Sequence, residues 1–63
     1  MKPQLLEILR AIFRNRGRWL FADTPDHTRA VLLEAEAAAL IMRDEREHVY
    51  ILTPTGEIAA QLG

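Results

Sequence analysis

The chain has 63 residues, 49% of them hydrophobic and 27% charged, which fits a single small globular domain over 1–63 that buries roughly 60% of its unfolded surface. Cysteine and serine are both absent, which excludes disulfides, thiolate metal sites and a serine nucleophile, and no apolar run nears the ~20 residues of a membrane span. The net charge of −1 hides an asymmetry: residues 1–22 carry five cations against Glu7, for +4, and residues 23–63 carry three arginines against eight acids, for −5.

Pro3 suits the first turn of a helix, where its missing N–H is not needed. Leu5, Leu6, Ile8, Leu9, Ile12 and Phe13 then fall on an arc of about 160°, wide enough to face a core. Glu7, Arg10 and Arg14 fall opposite. The helix is expected to end near Asn15, with Gly17 free to take a left-handed cap. Trp19-Leu20-Phe21-Ala22 is short, aromatic and bounded by turn formers; it reads as a brief strand or a hydrophobic plug. Asp23-Thr24-Pro25-Asp26 signals a helix start, with Asp or Thr as N-cap and the proline at the first helical position. The second helix should run to about Ala39 with Thr28, Val31, Leu32, Ala35, Ala38 and Ala39 on its core stripe.

Leu40–Arg43 and His48–Leu52 read as two strands around the polar stretch Asp44–Glu47, although no Asn-Gly pair fixes the loop. Thr53-Pro54 repeats the cap-plus-proline start, opening a last helix through Ile58, Ala59 and Leu62 whose first turn Gly56 weakens. The expected fold is a compact α+β domain of order α-(β)-α-β-β-α. Its core should contain Leu5, Ile8, Leu9, Ile12, Val31, Leu32, Ala35, Ile41, Ile51 and Ile58.

The stretch Ala35-Glu36-Ala37-Ala38-Ala39-Leu40-Ile41-Met42-Arg43, followed by Leu52-Thr53-Pro54-Thr55-Gly56, resembles the second half of a winged-helix domain, most closely the MarR and PadR-like transcription regulators. In that family a Leu-Glu-x-x-Gly-Leu-Ile-x-Arg pattern leads from the recognition helix into the wing, and a Leu-Thr-x-x-Gly pattern caps the next helix. The resemblance covers residues 35–56 and makes Asp44 to His48 a short wing tip. Ala39 stands where the family prefers glycine. Gly17 to Pro25 is too short for a positioning helix plus turn, so the resemblance implies a truncated helix-turn-helix in which Trp19–Ala22 takes the supporting place.

Two functional classes follow. In the first, the chain is a winged-helix-like regulator that binds duplex DNA through a basic N-terminal segment and wing. The residues are Arg14, Arg16, Arg18, Arg29, Arg43 and Arg46, and phosphate neutralisation gives salt-dependent affinity. In the second, the chain is a protein-interaction or dimerisation module with no DNA binding. Ala30, Leu33 and Ala37 lie together on the second helix, away from its core stripe and flanked by acids unsuited to a phosphate backbone. That stripe either packs inside the domain or completes the core of a small chain by association with a protein partner or a second copy.

Trp19 and Phe21 read as core anchors, and Tyr50 as half-buried with its hydroxyl at the surface. His27 and His48 lack a repeated ligand spacing and read as solvated histidines, so neither a metal nor another cofactor is expected. With no phosphate loop and no activated nucleophile, the chain is not expected to be an enzyme. No signal peptide is visible; the expected location is cytoplasmic, with no membrane partner.

Overall fold

The computed structural model describes residues 2–62, and within them the order is α-β-α-β-β-α. Helix α1 spans Pro3–Arg14, with Pro3 in the first turn where no donor is lost. It ends in a Schellman arrangement: Gly17 N–H donates to Ile12 O at 2.8 Å. The sequence predicts a left-handed cap at Gly17, and Gly17 does have φ +77°. The position that closes the motif is nonetheless Arg16, at φ +64°, so two consecutive left-handed residues turn the chain into strand β1, Arg18–Leu20. Asn15 holds that turn by donating from Nδ2 to Arg18 O at 2.7 Å.

A 3₁₀ turn, Phe21–Asp23, separates β1 from helix α2, Asp26–Ala37. The start of α2 corrects the sequence reading. Pro25 is the N-cap itself and makes no side-chain cap, while Thr24 Oγ1 donates back to Leu20 O at 3.2 Å. The proline therefore sets the extended entry (φ −63°, ψ 153°) one residue earlier than predicted. α2 also ends at Ala37 rather than Ala39. Ala39 adopts φ +61° and Leu40 N–H donates to Ala35 O at 2.9 Å, a second Schellman closure with alanine in the left-handed position. Ala38 and Ala39, expected on the core stripe, are exposed.

Strands β2, Ile41–Asp44, and β3, Val49–Leu52, form the hairpin, and β1 adds to β3, giving the antiparallel order β1-β3-β2. The loop between β2 and β3 is fixed without Asn-Gly. Asp44 Oδ1 accepts from Arg46 N–H (3.0 Å) and Glu47 N–H (3.2 Å), and His48 takes φ +57° before the return strand.

The register places Trp19, Tyr50 and Arg43 in one row and Arg18, Ile51 and Met42 in the next, on opposite faces. The inner face sets Ile41, Tyr50 and Leu52 against Leu9, Ile12, Leu32, Ala35, Leu40 and Ala60 of the helical layer, with Leu5, Ile8, Trp19, Phe21 and Ala59 packed at the margin. Tyr50 is thus buried rather than half-buried. Ile51 faces the other way and is only half-buried, so it leaves the predicted core; Val31 is also only half-buried.

Helix α3, Pro54–Leu62, gives the largest correction. Ile58, predicted in the core, is 59% exposed, and Ala60 is buried in its place. The cause lies in the first turn. Thr53 Oγ1 accepts from Gly56 N–H at 3.0 Å as the N-cap and lies 2.7 Å from Ala39 O. Thr53 N–H also donates to Leu40 O at 3.0 Å. This knot presses Gly56 onto the end of α2, where Leu40 backbone leaves no room for a side chain. With Gly56 inward, Ala60 follows at i+4 and Ile58 points about 200° away.

Candidate functional site

The six arginines named from sequence are spread over several elements. Arg14 and Arg16 sit at the end of α1, beside the Gly17–Leu52 end of the sheet, where Leu52 N–H donates to Gly17 O at 2.9 Å. Arg46 lies in the β2–β3 loop at the other end of the four-residue β3, roughly 13 Å away along the strand. Arg29 is on α2, and Arg43 is on the inner-face row of β2.

Three of the six are matched by carboxylates. Arg43 donates to Glu36 at 2.7 Å with Glu45 at 4.0 Å, and the Glu36 hydrogen bond holds its guanidinium pKa above the ordinary value, so it stays charged at any working pH. Arg18 reaches Glu47 at 3.3 Å, and Arg29 lies 3.8 Å from Asp26. These exposed pairs add little to stability, because solvent screens them. Their weight is electrostatic: the acids stay on the same surface and cancel the attraction for phosphate. Among the described residues Arg10, Arg14, Arg16 and Arg46 have no carboxylate within 4.0 Å.

The three residues named on the second helix share one exposed face. Ala30, Leu33 and Ala37 are all exposed, and Leu33 is 51% exposed, whereas Leu32, one residue earlier, is at 0%. α2 therefore buries Leu32 and Ala35 and turns a separate apolar strip outward; the strip does not pack inside the domain. Arg29 and Glu34 flank it, and Glu34 accepts from Lys2 Nζ at 2.8 Å. Beside Leu33 and Arg29 runs a shallow groove that also meets Phe21, Thr24, Arg43 and Tyr50.

The sequence reading missed two features. Leu20 and Met42 are about half exposed on the outer face of the sheet, with Ile51 between their strands. The unbroken run Val49-Tyr50-Ile51-Leu52 was the available signal, since an apolar run without alternation is normal for a strand covered on both faces. Trp19 Nε1 is also buried, with no hydrogen-bond acceptor among the described residues, which no sequence pattern announces.

His48 rests edge-on against Phe21 at 5.8 Å between ring centroids, and Phe21 in turn meets Tyr50 at 4.7 Å, so His48 belongs to an aromatic cluster. Among the described residues no three His, Asp or Glu side chains converge as a metal site. An open groove of about 460 Å³ between α1 and α2 is lined by Gln4, Glu7, Ile8, Ala11, His27, Thr28 and Val31. No helix among the described residues is long and apolar enough to cross a membrane. No family model, no curated protein and no solved structure matches this chain.

Proposed function

We propose that the chain is a small non-enzymatic regulatory module that acts by protein contact, with the outward face of α2 as its contact surface. One observation carries this reading: Leu33 stands half exposed between exposed Ala30 and Ala37 on a helix whose core face is already filled by Leu32 and Ala35. Small residues on both sides of a leucine let another backbone approach closely, and burying that leucine contributes roughly 1.5–3 kcal/mol. The same face carries Asp26, Glu34 and Glu36, which repel a phosphate backbone. Protein contact therefore ranks ahead of DNA. The regulatory part rests on the winged-helix resemblance of residues 35–56.

The test is a photocrosslinking residue placed at position 33, compared with one at Met42 on the outer sheet face, in the cells that make the chain. A protein adduct from position 33 and none from position 42 is expected. No adduct from 33, or equal adducts from both, overturns the reading.

A second reading, DNA contact, is favoured by the end of α1, where Arg10, Arg14 and Arg16 are exposed and Phe13 is 41% exposed among them. Cations around an aromatic suit phosphate and base stacking. Replacing Arg14, Arg16 and Arg18 together with alanine should weaken duplex binding for every sequence. The salt dependence should flatten by about 0.9 for each phosphate that is no longer neutralised. An unchanged salt slope removes this reading.

A further inference from the structure

We infer that the end of α1 binds a single strand of DNA, with phosphates on Arg10, Arg14 and Arg16 and one unpaired base stacked on Phe13. The inference rests on the DNA-contact reading above and names the form of DNA; it does not depend on the α2 face.

The sequence places Phe13 on the core-facing arc of α1, but the fold does not use it there. Phe13 is 41% exposed, and it belongs neither to the buried core nor to the side chains packed around it. An exposed phenyl ring alone needs no explanation, but the charges beside this one give it a use. At 100° per residue Arg10 lies roughly 60° around the helix from Phe13 and Arg14 roughly 100°, both on the solvent side of the ring. The three line a shallow depression of about 330 Å³ with Glu7, so one carboxylate there faces two guanidinium groups. Arg16 adds a third in the turn that follows.

These cations are also the uncommitted ones. Lys2, Arg18, Arg29 and Arg43 each have a carboxylate within 4.0 Å, whereas among the described residues Arg10, Arg14 and Arg16 have none. The carbonyls at this helix end, which would repel a phosphate, are engaged. Gly17 N–H donates to Ile12 O at 2.8 Å, Asn15 N–H to Ala11 O at 3.1 Å, and Arg14 Nε to Arg10 O at 3.4 Å.

The size of the patch selects the strand form. Three cations neutralise about three phosphates, where a strong duplex binder makes roughly six to ten phosphate contacts. The base faces of a duplex are covered by their neighbours, while an unpaired base offers its face to an aromatic ring. A few phosphates and one stacked base fit a short single-stranded stretch. A duplex or an acidic peptide would leave Phe13 unused.

The experiment is fluorescence anisotropy of the full chain at low salt with a labelled short oligo-dT, an abasic strand of the same length and a duplex of that length. Oligo-dT should bind about fivefold or more tightly than the abasic strand. Its log affinity should fall with log salt at a slope of about 2, from ~0.7 for each of three phosphates. Phe13→Ala should lower oligo-dT to the abasic level and leave the abasic strand unchanged, while Phe13→Trp should hold or tighten oligo-dT binding. Phe13 lies outside the core, so both variants are expected to fold, which circular dichroism checks. Equal binding of oligo-dT and the abasic strand overturns the proposal, as does a folded Phe13→Ala chain with wild-type affinity. Poly-glutamate that competes as well as oligo-dT at equal charge, or an oligo-U strand bound about tenfold tighter than oligo-dT, overturns it in favour of an acidic protein or of RNA. If the duplex binds as tightly as oligo-dT and the triple arginine variant weakens it, the single-strand form alone fails and the DNA-contact reading stands.

Discussion

Gly56→Ala tests the account of α3 most severely, because the usual rule points the other way. Alanine inside a helix ordinarily stabilises by about 1 kcal/mol relative to glycine. Here an added Cβ would fall on Leu40 O, well inside contact, and would stand 2.9 Å from Leu40 carbonyl carbon and 2.9 Å from Leu52 Cδ1. Ordinary carbon–carbon contact is about 3.5–4.0 Å, so α3 must move away from the end of α2. Moving it strains the Thr53 N–H to Leu40 O bond (3.0 Å) and the Thr53 hydroxyl contacts with Ala39 O and Leu40 O. Two such hydrogen bonds at ~1 kcal/mol each, with ~1–3 kcal/mol for forced overpacking, less the helix gain, give a net loss of about 2–4 kcal/mol. A 63-residue domain has roughly 3–9 kcal/mol in total, so the variant should unfold at a much lower urea midpoint. Gly17→Ala is the control: its Cβ meets only Leu52 Cβ at 3.8 Å, so its cost is the left-handed φ of +77° alone, about 1–2 kcal/mol. If Gly56→Ala is as stable as the wild type, or costs no more than Gly17→Ala, the close packing of α3 on Leu40 is wrong.

Other consequences can be checked by the same denaturation assay. Ala39→Gly removes a left-handed alanine at φ +61° and should raise stability by about 0.5–1 kcal/mol once the added freedom of the unfolded chain is subtracted; a loss would contradict the α2 closure. Thr53→Val keeps the shape but removes the cap on Gly56 N–H (3.0 Å) and the hydroxyl contact with Ala39 O (2.7 Å), for an expected loss of about 1–3 kcal/mol, and an unchanged midpoint would refute the knot.

Periodicity carried the helices because α1 has one apolar arc and one polar one. Leu9 and Ile12, placed in the core from their spacing, are fully buried. The hairpin was legible from its β-branched and aromatic content, and Thr53-Pro54 marked the start of α3. What failed was the assumption that the larger apolar residue faces inward. On α3 the rotation is set by backbone contact at Gly56, so Ala60 is buried and Ile58 is exposed. The small-residue pair at i and i+4, Gly56 and Ala60, was the readable sign. At Thr24-Pro25 the chain chemistry was recognised but its register was one residue off, because proline fits an extended N-cap as well as a first turn. The surroundings of the arginines were not legible for a tertiary reason: once the sheet forms, Arg18 meets Glu47 and Arg43 meets Glu36, residues 29 and 7 positions away in sequence. The outward placement of Ala30, Leu33 and Ala37 was legible because a single helix fixes it.

The separation of core face from outward face on α2 is tested most directly by one matched pair, Leu32→Asp and Leu33→Asp, followed by far-ultraviolet circular dichroism and by association state. Leu32 is fully buried, so a carboxylate there is unpaired in the core and costs several kcal/mol, and the variant should unfold. Leu33→Asp should keep the wild-type spectrum and lose association, because its charge enters only the contact surface. An unfolded Leu33→Asp chain would put Leu33 in the core, and a folded one that still associates normally would place the interface elsewhere; either result contradicts the account.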